Sequence, residues 1–315
     1  MKQLSIALAA LAIALTACGS SGGGSTSTAS GAGDATRDKL AQILSRGTLV
    51  GYHEADYPPQ SMDVKGATRP AGTKCTPTQL TANQVTGFDS DTTKLVAKRL
   101  GVEACFATPP WTVVTAGNWG DRWDIAYGSG SVNEDRMQRL YMTQPYYAVP
   151  NYYFVGPGSR ARHAADLNGK TIGSCSGCSH EMYLKNQLVI PGVKVALNVK
   201  HPKSVTYETE GPGLAATAKD KIDAFLAAEP VGQARIKEGE RLRQLPEVAF
   251  TYVPSGFVDK SSGLSSKAFV HRVDSIIQAA EKDGTLKKLS LKYFGRDYIT
   301  QAAAYDINAI GQTVR

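Results

Sequence analysis

No segment of this 315-residue chain is apolar over the ~20 residues that a spanning helix needs. The longest apolar stretch, Leu4 to Leu15, stops short of that, so an integral membrane protein is not expected. Basic runs are also missing. The formal net charge is +7, yet no basic run exceeds two residues, as at Lys287-Lys288. Scattered cations of this kind describe a solvated surface, and no nucleic-acid partner is expected. No internal repeat is present, which leaves out solenoids and propellers. Cysteine is sparse, at five residues. No resident cofactor or metal is expected.

What is present begins at the N-terminus. Lys2 supplies a short positive region ahead of the apolar stretch, which ends in Leu15-Thr16-Ala17-Cys18. Small residues before a cysteine mark lipoprotein processing, with cleavage ahead of Cys18 and acylation of its thiol. Residues 1–17 are then a signal peptide. Residues 18–36 are a lipidated cysteine on a Gly/Ser/Thr tether that cannot bury apolar surface. Such a tether reaches on the order of 25 Å.

Removing Cys18 leaves Cys75, Cys105, Cys175 and Cys178. An even number in an oxidising compartment suggests two disulfides. Three pairings are open, and local closure favours Cys75 with Cys105 and Cys175 with Cys178. The remaining chain alternates strand and helix signals. Strands are expected at residues 48–52, 102–107, 123–127, 170–174 and 222–227. A helix capped by Asp89 or Asp91 runs to Gly101. One or two amphipathic helices span Val270 to Leu291, punctuated by Gly284. This pattern predicts an α/β protein with mainly parallel sheets. Pro145–Val155 and Ala249–Val258 read as extended crossings between two lobes.

Several motifs, in order and at ordinary spacing, resemble the type II periplasmic solute-binding proteins of family 3, the polar amino-acid receptors of ABC importers. Gly87-Phe88-Asp89-Ser90-Asp91 resembles the GFDxD helix start. Residues 126–136 followed by 141–147 resemble the strand, serine-rich turn, arginine and PYY crossing. Residues 165–173 resemble ADLxGKxVG, and 221–231 resemble DAxxxDEPV. Residues 283–289 with Tyr293-Phe294-Gly295 resemble the C-terminal signature. The resemblance covers nearly all of Thr48 to Tyr298. It implies a two-lobed α/β fold with two extended crossovers. It assigns 37–147 plus 255–315 to lobe 1 and 148–254 to lobe 2, with the ligand in the cleft between them.

The same resemblance points to site residues. Arg136 falls on the family's arginine, whose planar fork suits a carboxylate. Ser129 and Ser131 sit on the turn before it. Tyr57 and Trp111 occupy the two aromatic positions, and Glu54 stands where the family usually has Asp. Three departures matter. Ala228 replaces the aspartate that holds a ligand ammonium, leaving Glu229 or Glu54 to take over or the ligand without a free amine. Cys178 and Ser179 replace a Gly-Thr-Thr turn. Residues 61–86 form an insertion that carries Cys75. Cys175-x-x-Cys178 reads as a structural disulfide, a redox pair, a metal site with His180, or a nucleophile elbow; the disulfide is the simplest.

The expected protein is an exported, lipid-anchored, monomeric receptor. It would bind a small carboxylated solute, reach the bilayer through Cys18, and dock on an ABC-importer permease. A cyclohexadienyl-dehydratase-like enzyme on the same fold, with Glu54 as acid, and a ligand-sensing envelope protein are the alternatives.

Overall fold

The computed structural model of the protein describes residues 33–305 and 307–314. The apolar leader, Cys18 and the tether up to residue 32 lie outside them.

The first lobe is built on the strand Thr48–Tyr52, whose residues are all buried. Its partner Glu103–Ala107 runs parallel, from Thr48 opposite Glu103 to Tyr52 opposite Ala107. On the other side Gly51 bridges Ile125, and Ala126 bridges Phe257. Ser255–Asp259 then pairs antiparallel with Leu140–Pro145. The strand expected over 123–127 is therefore reduced to bridges. The cause is Asp124, whose buried carboxylate accepts the Val50 N–H at 2.8 Å and so takes a donor that a ladder would use. Lys39 and Arg46 neutralise that carboxylate.

The helix Lys39–Arg46 is capped by Asp38, which accepts from the Ala41 N–H, and stops at left-handed Gly47. Phe88–Leu100 stops in the same way at Gly101. Its N-cap is Gly87, not an aspartate. A Cβ at Gly87 would lie 2.2 Å from the Gln60 carbonyl, so the approach of two backbones fixes glycine there. Asp89 instead turns inward, and Asp91 turns to Lys94. The C-terminal pair Lys267–Lys282 and Thr285–Phe294 breaks at left-handed Gly284, as the sequence pattern predicts.

The second lobe holds one five-stranded sheet, in the order Lys203–Tyr207, Thr171–Cys175, Ala224–Ala228, Val149–Val155, Arg243–Tyr252. The first three strands are parallel. The last two are antiparallel to their neighbours. The sheets are thus mixed rather than mainly parallel, because the strand that carries the chain into this lobe, Val149–Val155, runs against its two neighbours. The chain passes between the lobes at Tyr146–Ala148 and Val253–Pro254, which the Tyr146 N–H ties together through the Pro254 carbonyl at 3.1 Å. Both favoured disulfides are present: Cys75–Cys105 and Cys175–Cys178. Among the described residues, no helix is long and apolar enough to cross a membrane.

Candidate functional site

The turn Gly128-Ser129-Gly130 forms one wall of a cavity between the lobes. Its glycines are dictated by aromatic rings. A Cβ at Gly128 would fall 2.7 Å from the Tyr52 ring, and one at Gly130 would fall 2.2 Å from Phe257. Ser129 sits between them with φ of 54°, an uncommon value for a residue with a side chain. It is held there by a buried network. Its hydroxyl donates to Asp89 at 2.7 Å and accepts from Tyr147 at 2.6 Å. The Tyr146 hydroxyl donates to the other Asp89 oxygen at 2.6 Å and accepts from the Ser129 N–H. Burial pushes the Asp89 carboxyl up to about 7, against the lowering effect of these bonds. Asp89 is thus the inner support of the turn.

The short helix Glu134–Met137, capped by Asn133, turns Arg136 into the cavity. Arg136 is only 1% exposed. Its guanidinium donates to the Ser131 carbonyl at 3.0 Å, the Gly177 carbonyl at 2.8 Å and the Ser179 hydroxyl at 3.3 Å. The Trp111 and Phe257 rings each lie 5.4 Å from it. Its Nε finds no partner, and no carboxylate pairs with it among the described residues. Burial lowers its pKa to about 10, so it stays charged at neutral pH.

Three glutamates line the same cavity, of which Glu208 is exposed and Glu54 and Glu210 are more deeply placed. Glu54 accepts from the Tyr52 hydroxyl at 3.0 Å, and burial lifts it to about 7. Glu210 opens the helix Glu210–Ala218 and is 4% exposed. One of its oxygens lies 3.5 Å from His180 Nδ1 and the other has no partner. Burial raises its pKa well above the usual carboxylate range. The Trp111 indole N–H is also buried without an acceptor. Buried polar atoms without partners are rare in folded proteins, and here the Arg136 Nε, the Trp111 indole nitrogen and one Glu210 oxygen belong to residues that line one cavity.

Glu54, Tyr57, Trp111, Ser129, Arg136, Cys178 and Ser179 all line this cavity. Ser131 and Glu229 do not. The Ser131 hydroxyl donates to the adjacent Val132 carbonyl, and only its own carbonyl reaches Arg136. The Glu229 carboxylate accepts from Arg296 at 2.9 Å and Tyr298 at 2.8 Å, outside the cavity. Ala228 is fully buried, and its strand ends against Asn151. Sequence reasoning missed Glu210, His180 and Tyr252 as wall residues. Glu208-Thr209-Glu210 directly after a strand was the available signal, because ligands of such lobes sit at the carboxyl ends of strands.

The sequence profile of the bacterial extracellular solute-binding proteins, family 3, matches residues 53–296. The L-cystine-binding protein TcyJ of Escherichia coli (strain K12) is 25% identical over 82% of this chain and 86% of that protein. The ABC transporter arginine-binding protein 1 of the same strain is 22% identical, over 67% of this chain and 83% of its own length. Among solved structures, a Streptococcus pneumoniae uptake-transporter substrate-binding protein with bound histidine superimposes with a TM-score of 0.66 at 18% identity. That match covers 84% of this chain and 98% of the other. The ancestral amino-acid-binding protein AncCDT-1, a precursor of cyclohexadienyl dehydratase, gives 0.65 at 22% identity, covering 82% and 100%. The fold is the two-lobed type II periplasmic-binding-protein fold.

Proposed function

This chain belongs to the bacterial extracellular solute-binding proteins of family 3, and from that premise we propose that it captures an amino acid whose side chain ends in a cationic or strongly polar group. The protein is an extracytoplasmic substrate-binding receptor of an ABC importer and not an enzyme. The observation that carries the ligand class is a buried guanidinium and a buried carboxyl, each with an unpartnered atom, in the wall of one cavity. Arg136 presents an unpartnered Nε, and Glu210 presents an unpartnered oxygen. A zwitterion satisfies both. Its carboxylate meets the guanidinium, and its ammonium meets Glu210. Glu210 then does the work that Ala228 cannot do and that Glu229, occupied by Arg296 and Tyr298, is not placed to do. Glu54 faces the ligand's far end, between Tyr57 and Trp111.

The lobes are 37–147 plus 255–315 and 148–254, a division supported by strand pairing on either side of the two crossings. Anchoring through acylated Cys18, with the tether carrying a monomeric receptor above the bilayer, is supported by Leu15-Thr16-Ala17-Cys18.

Calorimetric titration with an amino-acid panel and matched analogues tests the ligand class. Arginine, histidine, glutamine or a similar amino acid binds, and the analogue lacking the α-ammonium loses most of that affinity. Equal binding of an amino acid and its deaminated analogue would sink the zwitterion reading.

A further inference from the structure

Four metal-ligand side chains crowd the second-lobe wall of the cavity. Cys175 ends the strand Thr171–Cys175, and Cys178 and His180 follow within five residues. The donor atoms of these three lie within 4.8 Å of one another. Glu210 arrives from the neighbouring helix. Cys175 Sγ is 3.8 Å from His180 Nδ1 and 3.8 Å from Glu210 Oε1. His180 Nδ1 is 3.5 Å from the same oxygen. Zinc–ligand bonds of about 2.0–2.3 Å in a tetrahedron place neighbouring donors roughly 3.3–3.8 Å apart. The three spacings match that edge.

The imidazole is also in the right tautomer. Asn151 spends its amide N–H groups on the Phe250 and Val149 carbonyls, so its oxygen faces His180 Nε2 at 2.7 Å. Nε2 therefore carries the proton, and the Nδ1 lone pair points at Cys175 and Glu210. A metal-bound histidine needs this outer hydrogen bond on its other nitrogen. Burial keeps the ring neutral, as a ligand must be.

We propose that reduction of the Cys175–Cys178 disulfide opens a soft divalent-metal site, of the zinc class, formed by Cys175, Cys178, His180 and Glu210. Cys178 is the more exposed sulfur and Cys175 is buried. A dithiol reductant, such as an extracytoplasmic thiol–disulfide oxidoreductase carries, attacks Cys178 Sγ. The Cys175–Cys178 bond breaks and Cys175 leaves as a thiolate. The reductant's second thiol then resolves the mixed disulfide, so the reductant leaves oxidised and the protein holds two thiols. The metal dication displaces both thiol protons and the proton of the Glu210 carboxyl. Glu210 cannot serve a metal and a ligand ammonium together, so the metal form is closed to solute. That last consequence rests on the role given to Glu210 above; metal binding does not.

The test is a cobalt(II) titration, without oxygen, of full-length protein reduced by a water-soluble phosphine and then desalted. The expected result is one equivalent bound. It shows thiolate-to-cobalt charge-transfer absorption and the visible bands of a tetrahedral ion, is displaced by zinc, and is absent from the oxidised protein. Cys178→Ser and His180→Ala each weaken cobalt binding by about tenfold or more, and Cys75→Ser leaves it unchanged. Circular dichroism checks the buried His180→Ala variant; if it does not fold, Cys178→Ser decides. A reduced protein without the thiolate band overturns the site, as does a band that survives Cys178→Ser or vanishes with Cys75→Ser. Amino-acid calorimetry on the oxidised protein reports separately on the solute reading.

Discussion

At the scale of single residues, the cavity is a contest between burial and charge. Arg136 has lost its water and gained two backbone carbonyls and a hydroxyl, none of which carries a full negative charge. On the proposed reading, a ligand carboxylate supplies the missing counter-ion. Arg136→Ala is therefore expected to weaken ligand binding by roughly 2–5 kcal/mol, because the anion would be buried without its partner. Glu210→Gln should weaken binding of amino acids at least tenfold, on the order of 1.4 kcal/mol. Glu229→Gln should leave it unchanged within error, because that carboxylate is taken up by Arg296 and Tyr298. Calorimetry of these three variants side by side checks the assignment; a loss confined to Glu229→Gln would reverse it.

Glu54 gives the site a pH dependence with a definite sign. Burial holds its carboxyl protonated up to about pH 7. A ligand cation prefers the ionised form, so binding below that pH releases a proton. Affinity for a cationic side chain should rise with pH, with Glu54 contributing at most about tenfold per unit below pH 7. Glu54→Gln should make the profile shallower below pH 7, and what remains belongs to Glu210, whose pKa burial also raises. Affinity that falls between pH 5.5 and 7 in the wild type would contradict this role.

At the scale of elements, the sequence was most legible where backbone conformation forces a residue type. The stops at Gly101 and Gly284 are both left-handed in the structure. Arg136 and the Gly-Ser-Gly turn were legible through the family resemblance, as was Trp111. Glu210 was not, because its role depends on a strand and a helix brought beside Arg136 from some 70 residues away in the chain. Glu229 misled for the converse reason: its neighbour Ala228 marks the family's aspartate position, but Glu229 itself opens the helix Glu229–Lys237 and turns to Arg296 and Tyr298. The strand expected at 123–127 failed because a side-chain carboxylate, Asp124, competes for a ladder donor.

The insertion over residues 61–86 is an element held by few backbone ladders. Two short strands, Ser61–Asp63 and Val85–Thr86, pair with each other, and Leu80–Thr81 adds to the edge of the first sheet. Between them, the Arg69 side chain donates to the carbonyls of Cys75, Thr76 and Gln79. The Cys75–Cys105 disulfide, with a sequence separation of 30, ties this loop to a central strand. Closing a loop of that size is worth about 3–4 kcal/mol in the chain-entropy model. The double replacement Cys75→Ser with Cys105→Ser should lower denaturant stability by about that amount and leave ligand affinity nearly intact. A stability equal to the wild type would mean the Arg69 contacts alone hold the loop.

At the scale of the whole molecule, contacts between the two lobes close the cavity from both sides. Arg136, on the first lobe, donates to Gly177 and Ser179 on the second. At the rim, Arg235 on the helix Glu229–Lys237 pairs with Asp56 at 3.1 Å. The Arg235 side chain is 13% exposed and that of Asp56 73%, so the pair sits in high dielectric on one side. A half-exposed pair of this kind contributes about 0.2–1 kcal/mol. It makes no hydrogen bond to Arg136, Glu210 or Glu54, and acts on the two glutamates only through space: Arg235 favours ionised Glu210 and Asp56 disfavours ionised Glu54. Its main effect on binding should therefore come through the population of the closed form, because apparent affinity scales with the fraction of molecules that are binding-competent. Asp56→Asn is expected to weaken binding by about 1.4- to 5-fold, with the ligand's selectivity among amino acids unchanged. In small-angle scattering, wild-type protein should become more compact on adding saturating ligand, and ligand-free Asp56→Asn should start from a larger radius than ligand-free wild type. With ligand the two should reach the same radius, since the hinge segments Tyr146–Ala148 and Val253–Pro254 are untouched. A changed selectivity in Asp56→Asn would place the pair in the binding site rather than at the gate, and a radius indifferent to ligand in both proteins would remove closure from the mechanism.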